Sequence, residues 1–171
     1  MAVIGSETAM KPPVVILGLA LLAAAVPAAA QNQGQISQAQ RGASCPKCNL
    51  FQADFTGLEV HSRNFAGARL RQSDMSLAVM NRTNFAGADL RDVEAYGAVL
   101  SGGNFSAADL THASFVGAYL VGSNFAGARL EGTNFSGASL NGAKGLSQAQ
   151  LNRACGDPST GLPPGLRIPQ C

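Results

Sequence analysis

Bulky apolar side chains recur at every fifth position from residue 48 to about residue 142. The series runs Leu50, Phe55, Val60, Phe65, Leu70, Met75, Met80, Phe85, Leu90, Ala95, Leu100, Phe105, Leu110, Phe115, Leu120, Phe125, Leu130, Phe135 and Leu140, and only Ala95 lacks bulk. Two residues before each of these the chain is usually small, as at Ala53, Ala68, Ser73, Ala88 and Ala108. Two residues after, glycine dominates, as at Gly57, Gly87, Gly117 and Gly127. A helix of 3.6 residues per turn would smear this period around all its sides, and a flat strand would throw successive members onto opposite faces. The chain must therefore bend once per repeat, with the large residue and the small one before it both facing inward. Glycine supplies the backbone freedom for each bend.

The bulky positions largely alternate Phe and Leu, a ten-residue period, so a coil of twenty residues stacks like on like whereas one of fifteen would mix them. In that phase one column is Leu50, Leu70, Leu90, Leu110, Leu130 and another Phe65, Phe85, Phe105, Phe125. The remaining two are Val60, Met80, Leu100, Leu120, Leu140 and Phe55, Met75, Ala95, Phe115, Phe135. Leu58 and Arg63 stand where small inward residues belong, which predicts a distorted first coil around residues 59–63. Ala95 predicts either a small cavity or compensation by Val93 and Met75.

The repeating unit is a small residue, a polar residue, Leu or Phe, and two variable residues. It is clearest in Ala88-Asp89-Leu90-Arg91-Asp92, Ala108-Asp109-Leu110-Thr111-His112 and Ala128-Arg129-Leu130-Glu131-Gly132. This resembles the pentapeptide repeat family. The resemblance implies an all-β fold, a right-handed quadrilateral β-helix, and the twenty-residue coil gives about five coils between residues 48 and 145. It also brings to mind the DNA mimicry practised on a topoisomerase by cytoplasmic members. Charge argues against that activity here: between residues 49 and 144 seven basic residues face eight acidic ones, leaving neither an acidic nor a basic stripe, and no nucleic-acid partner is expected.

The flanks are different in kind. Lys11, the apolar run 14–26 and Ala28, Ala29 and Ala30 read residues 1–30 as a signal peptide cleaved near Ala30, with Met10 an alternative start. The run is short for a membrane span, so no stable membrane insertion is expected once it is removed, and a periplasmic or secreted location follows. Residues 31–47, rich in Gln, Ser and Gly, read as a linker or short lead-in helix contributing little core. Ser147 is a helix N-cap candidate, so residues 146–171 form a short capping helix followed by a tail that Pro163, Pro164 and Pro169 keep extended. The four cysteines, Cys45, Cys48, Cys155 and Cys171, suit an oxidising compartment. They allow three pairings, of which the simplest joins Cys45 to Cys48 and Cys155 to Cys171.

Chemistry is sparse. His61 and His112 stand alone, no catalytic constellation is present, and no cofactor or metal is expected. Each outer wall has its own character. The Leu50 wall mixes Arg69, Arg71, Arg91 and Arg129 with Asp89, Asp109 and Glu131; the Phe55 wall stacks Asp54, Asp74 and Glu94; the Phe65 wall stacks Asn64, Asn84, Asn104 and Asn124. The Val60 wall points Val79, Val99, Tyr119 and Val121 outward, an apolar strip that suggests a protein partner or self-association unless a flank covers it. The sequence thus reads as a non-enzymatic exported scaffold or protein-interaction module. Two alternatives accompany it: a redox or metal-handling protein using Cys45 and Cys48, and a purely structural envelope component.

Overall fold

The computed structural model describes residues 31–171, so the expected signal peptide lies outside the described residues. Each repeat folds the same way. At Leu50 the chain turns, and the N–H of Ala53 closes the turn on the Leu50 carbonyl at 3.1 Å. The third residue of that turn, Gln52, has φ +55°, and the equivalent residue five positions on is Gly57 at +65°. A positive φ at that place is what favours glycine there, because a Cβ crowds the carbonyl in the left-handed region.

Twenty residues later the chain passes directly above itself. Parallel bridges join Asn49 to Arg69, Arg69 to Asp89, Asp89 to Asp109 and Asp109 to Arg129, giving five stacked levels in this column. The rungs are short and regular: the Leu50 N–H donates to the Arg69 carbonyl at 2.8 Å, the Arg69 N–H to the Cys48 carbonyl at 2.8 Å, and the Gln52 N–H to the Arg71 carbonyl at 3.0 Å. Levels joined this way lie about 4.8 Å apart. Four five-residue sides make one level, so the residue just before each bulky one carries the bridge while its neighbour fills the interior.

The interior is one continuous apolar column. Phe65, Phe85, Phe105 and Phe125 form a stack with centroids 5.9, 5.2 and 5.2 Å apart. Phe115 and Phe135 form a second stack at 5.7 Å, meeting the first edge-on at Phe105–Phe115 and Phe125–Phe135. Offset stacks and edge contacts both suit the aromatic quadrupole, and each such pair contributes roughly 0.5–1.5 kcal/mol beyond area burial. Val93 and Ala95 are both fully buried, so the pair exchanges its usual sizes and Val93 occupies the interior in the Phe's stead. At residues 59–63 the tight turn relaxes to an open bend and Arg63 points to solvent, yet the rungs persist, with the Val60 N–H on the Val79 carbonyl at 2.9 Å.

Both ends carry a short helix and contribute more to the fold than the sequence expectation allowed. The lead-in is a helix, α1 (Gln33–Gln40), capped by the Asn32 side chain, and it buries Ile36 and Ala39 against the core. Its glutamines stand in for a missing coil. Gln35 Oε1 accepts from the Asn49 N–H at 2.7 Å, Gln40 Nε2 donates to the Asp54 carbonyl at 2.7 Å, and Gln31 Nε2 reaches the Gln52 carbonyl at 3.2 Å. An exposed strand edge otherwise offers those groups to any passing chain.

At the other end α2 (Gln148–Leu151) begins with a capping box between Ser147 and Gln150 and buries Leu151. Gln150 Nε2 donates to the carbonyls of Phe125 and Ala128 at 3.0 and 2.9 Å. The tail, expected to be merely extended, instead keeps the register: Asn134 bridges Cys155, Ser139 bridges Gly161 and Gly156 bridges Gln170. A proline cannot stand where an N–H is needed, and there the tail has Gly161, donating to the Ala138 carbonyl at 2.9 Å, and Cys171, donating to the Gly156 carbonyl at 3.0 Å, while Pro169 supplies only its carbonyl to the Gly156 N–H at 2.8 Å.

Candidate interaction surface

The four walls can be ranked by what each leaves unsatisfied. On the Phe65 wall the Asn side chains form a ladder: Asn84 Nδ2 donates to Asn64 Oδ1 at 3.3 Å, Asn104 to Asn84 at 3.1 Å, and Asn124 to Asn104 at 3.3 Å. Each Oδ1 also accepts the backbone N–H two residues on, from Ala66 at 3.0 Å, Ala86 at 3.0 Å, Ser106 at 3.1 Å and Ala126 at 3.1 Å. This local bond explains why the slot before the bulky residue is polar: a short side chain there closes the approach to the turn. Asp54 and Asp74 make the same bond to Thr56 and Ser76 at 2.9 and 2.8 Å.

The Leu50 wall is a chain of ion pairs. Arg71 meets Asp92 at 3.0 Å, Arg91 meets Asp89 at 2.7 Å, Arg129 lies 3.4 Å from Asp109, and Arg153 meets Glu131 at 2.7 Å. The Arg91 guanidinium holds the Asp89 carboxyl below the usual carboxylate range, against a smaller opposing effect of burial. A backbone hydrogen bond and then Arg153 lower Glu131 likewise. Exposed pairs of this kind stabilise weakly and satisfy their own charges.

The Phe55 wall stacks Asp54 on Asp74 and Asp74 on Glu94 by backbone bridges. All three are exposed. Among the described residues no group of three or more His, Cys, Asp or Glu side chains is placed to share a metal ion.

The Val60 wall carries a column of apolar side chains that neither described flank covers. Val79, Val99 and Tyr119 share a column through the bridges Val79–Val99 and Val99–Tyr119, while Val121 stands in the column two residues on. Val79 and Val99 are half-buried, whereas Tyr119 and Val121 are 55% and 43% exposed. Neither flank covers the strip: α1 lies against Asn49 and Asp54, and the tail packs on the last coil. Leu77 and Tyr96 are also exposed, at 58% and 59%, and sequence reasoning missed them. The signal was present, because both are large apolar residues in the solvent-facing slots after a bulky position, most of which hold polar residues, alanine or glycine.

The cysteines form two disulfides, Cys45–Cys48 with Cα atoms 5.5 Å apart and Cys155–Cys171 with Cα atoms 4.8 Å apart. Cys45 and Cys48 are buried, at 5% and 8% exposure. Among the described residues no cysteine is free, and no helix is long and apolar enough to cross a membrane.

Comparison with known proteins agrees with the repeat geometry. The family model for pentapeptide repeats matches in eight copies over residues 64–102, 95–125, 104–142 and 118–155. No curated protein sequence matches the chain. Among solved structures the chain is similar to HetL, a pentapeptide repeat protein involved in heterocyst differentiation regulation from Nostoc sp. strain PCC 7120. The two are 28% identical over 69% of this chain and 51% of HetL, with a TM-score of 0.49. This chain thus spans about half of HetL's length. It is also similar to QnrB1, a plasmid-mediated fluoroquinolone resistance protein (18% identity, 74% of this chain and 79% of that one, TM-score 0.42). A third is a thylakoid-lumen pentapeptide repeat protein of Arabidopsis thaliana (25% identity, 64% and 74%, TM-score 0.38). Eight matched copies over half of the chain, on a backbone that closes every twenty residues, place this protein in the pentapeptide repeat family, a generally non-enzymatic family whose fold is the right-handed quadrilateral β-helix.

Proposed function

We propose that this protein is an exported, non-enzymatic interaction module that presents the Val60 wall of a solenoid of about five coils to a protein partner. In this reading residues 1–30 direct export, residues 31–47 close the first coil, residues 48–145 form the solenoid, and residues 146–171 close its far end with a helix and a disulfide-bonded tail. One observation carries it: Tyr119 and Val121 stand 55% and 43% exposed on a wall without a charged residue on its levels from Val99 to Asn141. Exposed apolar patches on an otherwise well-satisfied surface mark association sites. Export to the periplasm or beyond is supported by the basic-then-apolar N-terminal sequence and by cysteines paired at both ends.

The test is the size of the native assembly. Extracts of the cell envelope and periplasm are separated under non-denaturing conditions, comparing the natural chain with a Val99→Lys, Tyr119→Lys variant and with Arg129→Gln on the Leu50 wall. The expected outcome is a complex larger than the monomer that the double variant loses and Arg129→Gln retains. A double variant that migrates with the natural protein removes this wall from function and leaves a structural envelope role.

A further inference from the structure

On the reading that the Val60 wall is the docking surface, we propose that its occupant is a second copy of the same chain, related by a two-fold axis parallel to the solenoid. Above Glu59 the two columns of the wall carry no charge and match each other level by level. One column carries Glu59, Val79, Val99 and Tyr119, and the neighbouring column, two residues on, carries His61, Asn81, Ser101 and Val121. A two-fold axis between the columns sets each residue of one against its level-mate in the other. Tyr119 then covers the second copy's Val121, Val99 lies on its Ser101 and Val79 on its Asn81, while at the lowest level Glu59, 3.7 Å from His61 of its own chain, faces the same pair in the second copy. The contact at the upper end is apolar on apolar and occurs twice because the interface is isologous.

The edges of the wall permit this approach. From the third level upward one corner is Gly97, Gly117 and Gly137 and the other is Gly102, Gly122 and Gly142. Gly122 and Gly142 would meet nothing within 4 Å even with a Cβ, so the corners stand low and open. Tyr119 and Val121 are therefore the most prominent side chains of the upper wall. One level lower the corners are Leu77, 58% exposed, and Arg82, whose stem lies over Gly102. The same axis sets Leu77 against the aliphatic stem of the second copy's Arg82, which keeps its charge in water. A wall without fixed charge over three levels gives a nucleic acid or an acidic polymer nothing to hold, whereas it lets two identical surfaces meet without like-charge repulsion.

Size sets the strength. With about 150–200 Å² for a fully exposed side chain of this kind, the partly exposed wall offers roughly 200–300 Å² of apolar area per copy. A standard interface covers about 800 Å² per partner, so this one belongs with the small, reversible contacts and associates at micromolar rather than nanomolar concentration.

The test uses the purified native protein in sedimentation velocity from about 1 to 500 μM. A concentration-dependent monomer–dimer equilibrium is expected, weakened at least tenfold by Tyr119→Lys and unaffected by Tyr96→Lys, an equally exposed tyrosine on the adjacent wall. Because the native cysteines are all paired, single-cysteine variants report the register: Val99→Cys mixed with Ser101→Cys should give a disulfide-linked heterodimer in preference to either homodimer. That pair also decides the matter if Tyr119→Lys fails to fold. A protein that stays monomeric at every concentration, a dimer sensitive to Tyr96→Lys instead, or Val99→Cys linking mainly to itself overturns the proposal. A monomer in pure form whose native complex is nonetheless lost on Val99→Lys, Tyr119→Lys leaves the docking wall standing and assigns it to a different protein.

Discussion

The lower and upper coils of this solenoid solve the same backbone problem in opposite ways. Each corner needs a residue at positive φ. Up to residue 112 that place is often held by a residue with a side chain: Gln52, Ser62, Gln72, Leu77, Arg82, Asp92, Ala107 and His112. From Gly117 onward every such corner of the repeat is glycine, through Gly142. A side chain at φ near +60° carries a penalty of roughly 1–2 kcal/mol, so the lower coils hold strain that the upper coils avoid. In return the lower corners gain contacts. Gln52 Nε2 donates to Gln72 Oε1 at 3.3 Å, and Asp92 accepts from Arg71 at 3.0 Å. The upper corners gain bareness, and that is where Tyr119 and Val121 project. A shared backbone thus separates a lower half whose corners often carry side chains from an upper half whose corners are bare.

The contrast can be broken most severely at Gly145, where the backbone, with φ +70°, passes so close to the coil below that a Cβ would sit 2.6 Å from the Ala126 N and Cα. Gly145→Ala is expected to lower unfolding stability by about 3 kcal/mol or more, since neither partner is a flexible side chain. Equilibrium denaturation by urea, followed by circular dichroism, measures it. The two end staples come next. Closing 16 residues, Cys155–Cys171 should contribute about 3 kcal/mol, and Cys45–Cys48, closing only 3, about 2 kcal/mol in the chain-entropy model. Paired Cys→Ser variants compared in the same denaturation experiment should therefore rank the upper end above the lower.

The corners themselves give a smaller and more pointed comparison. At Gly127 a Cβ meets nothing within 4 Å, so Gly127→Ala isolates the cost of the left-handed backbone, about 1 kcal/mol of destabilisation. The reverse change in the lower coils, Ala107→Gly at φ +55°, should be neutral to slightly stabilising, by less than about 1 kcal/mol, because relief of strain is offset by glycine's greater unfolded-state entropy. Equal effects at the two sites would show that the corner residue does not distinguish the halves.

The smallest effect concerns acid. Asp89, hydrogen-bonded to Arg91, and Glu131, held by a backbone hydrogen bond and Arg153, both titrate below their ordinary values in the folded protein. A depressed folded pKa contributes stability that is complete above the unfolded value and fades as pH falls through the folded one. Melting temperature should accordingly hold from pH 7 to about 5 and decline below about pH 4, with the decline shallower in Arg91→Gln.

Much of this architecture was legible because the interior imposes a strict spacing. Leu90 and Phe105 announce their inward direction through the five-residue register, and the match of Phe65, Phe85, Phe105 and Phe125 announces the coil length. Even Ala95 was readable as a place needing compensation, which Val93 supplies. The end structures were harder for a physical reason. Gln31, Gln35 and Gln40 act by reaching backbone groups 14 to 21 residues away, and such bonds leave no periodic trace in a polar segment. The Val60 strip was visible as a column of Val and Tyr, but the graded exposure that makes Tyr119 and Val121 prominent depends on how low the flanking glycines sit. Leu77 and Tyr96 escaped notice because they occupy slots outside the repeating apolar set.

The most direct measurement is site-specific photocrosslinking in intact cells, with a photoreactive residue placed in turn at Tyr119 on the upper Val60 wall, at Glu59 on the lower part of that wall, and at Thr111 on the opposite Leu50 wall. A discrete crosslinked protein is expected strongly from position 119, weakly from 59 and not from 111. Equal crosslinking from 111, or none from 119 in cells that crosslink elsewhere, would contradict the assignment of the upper Val60 wall as the recognition surface.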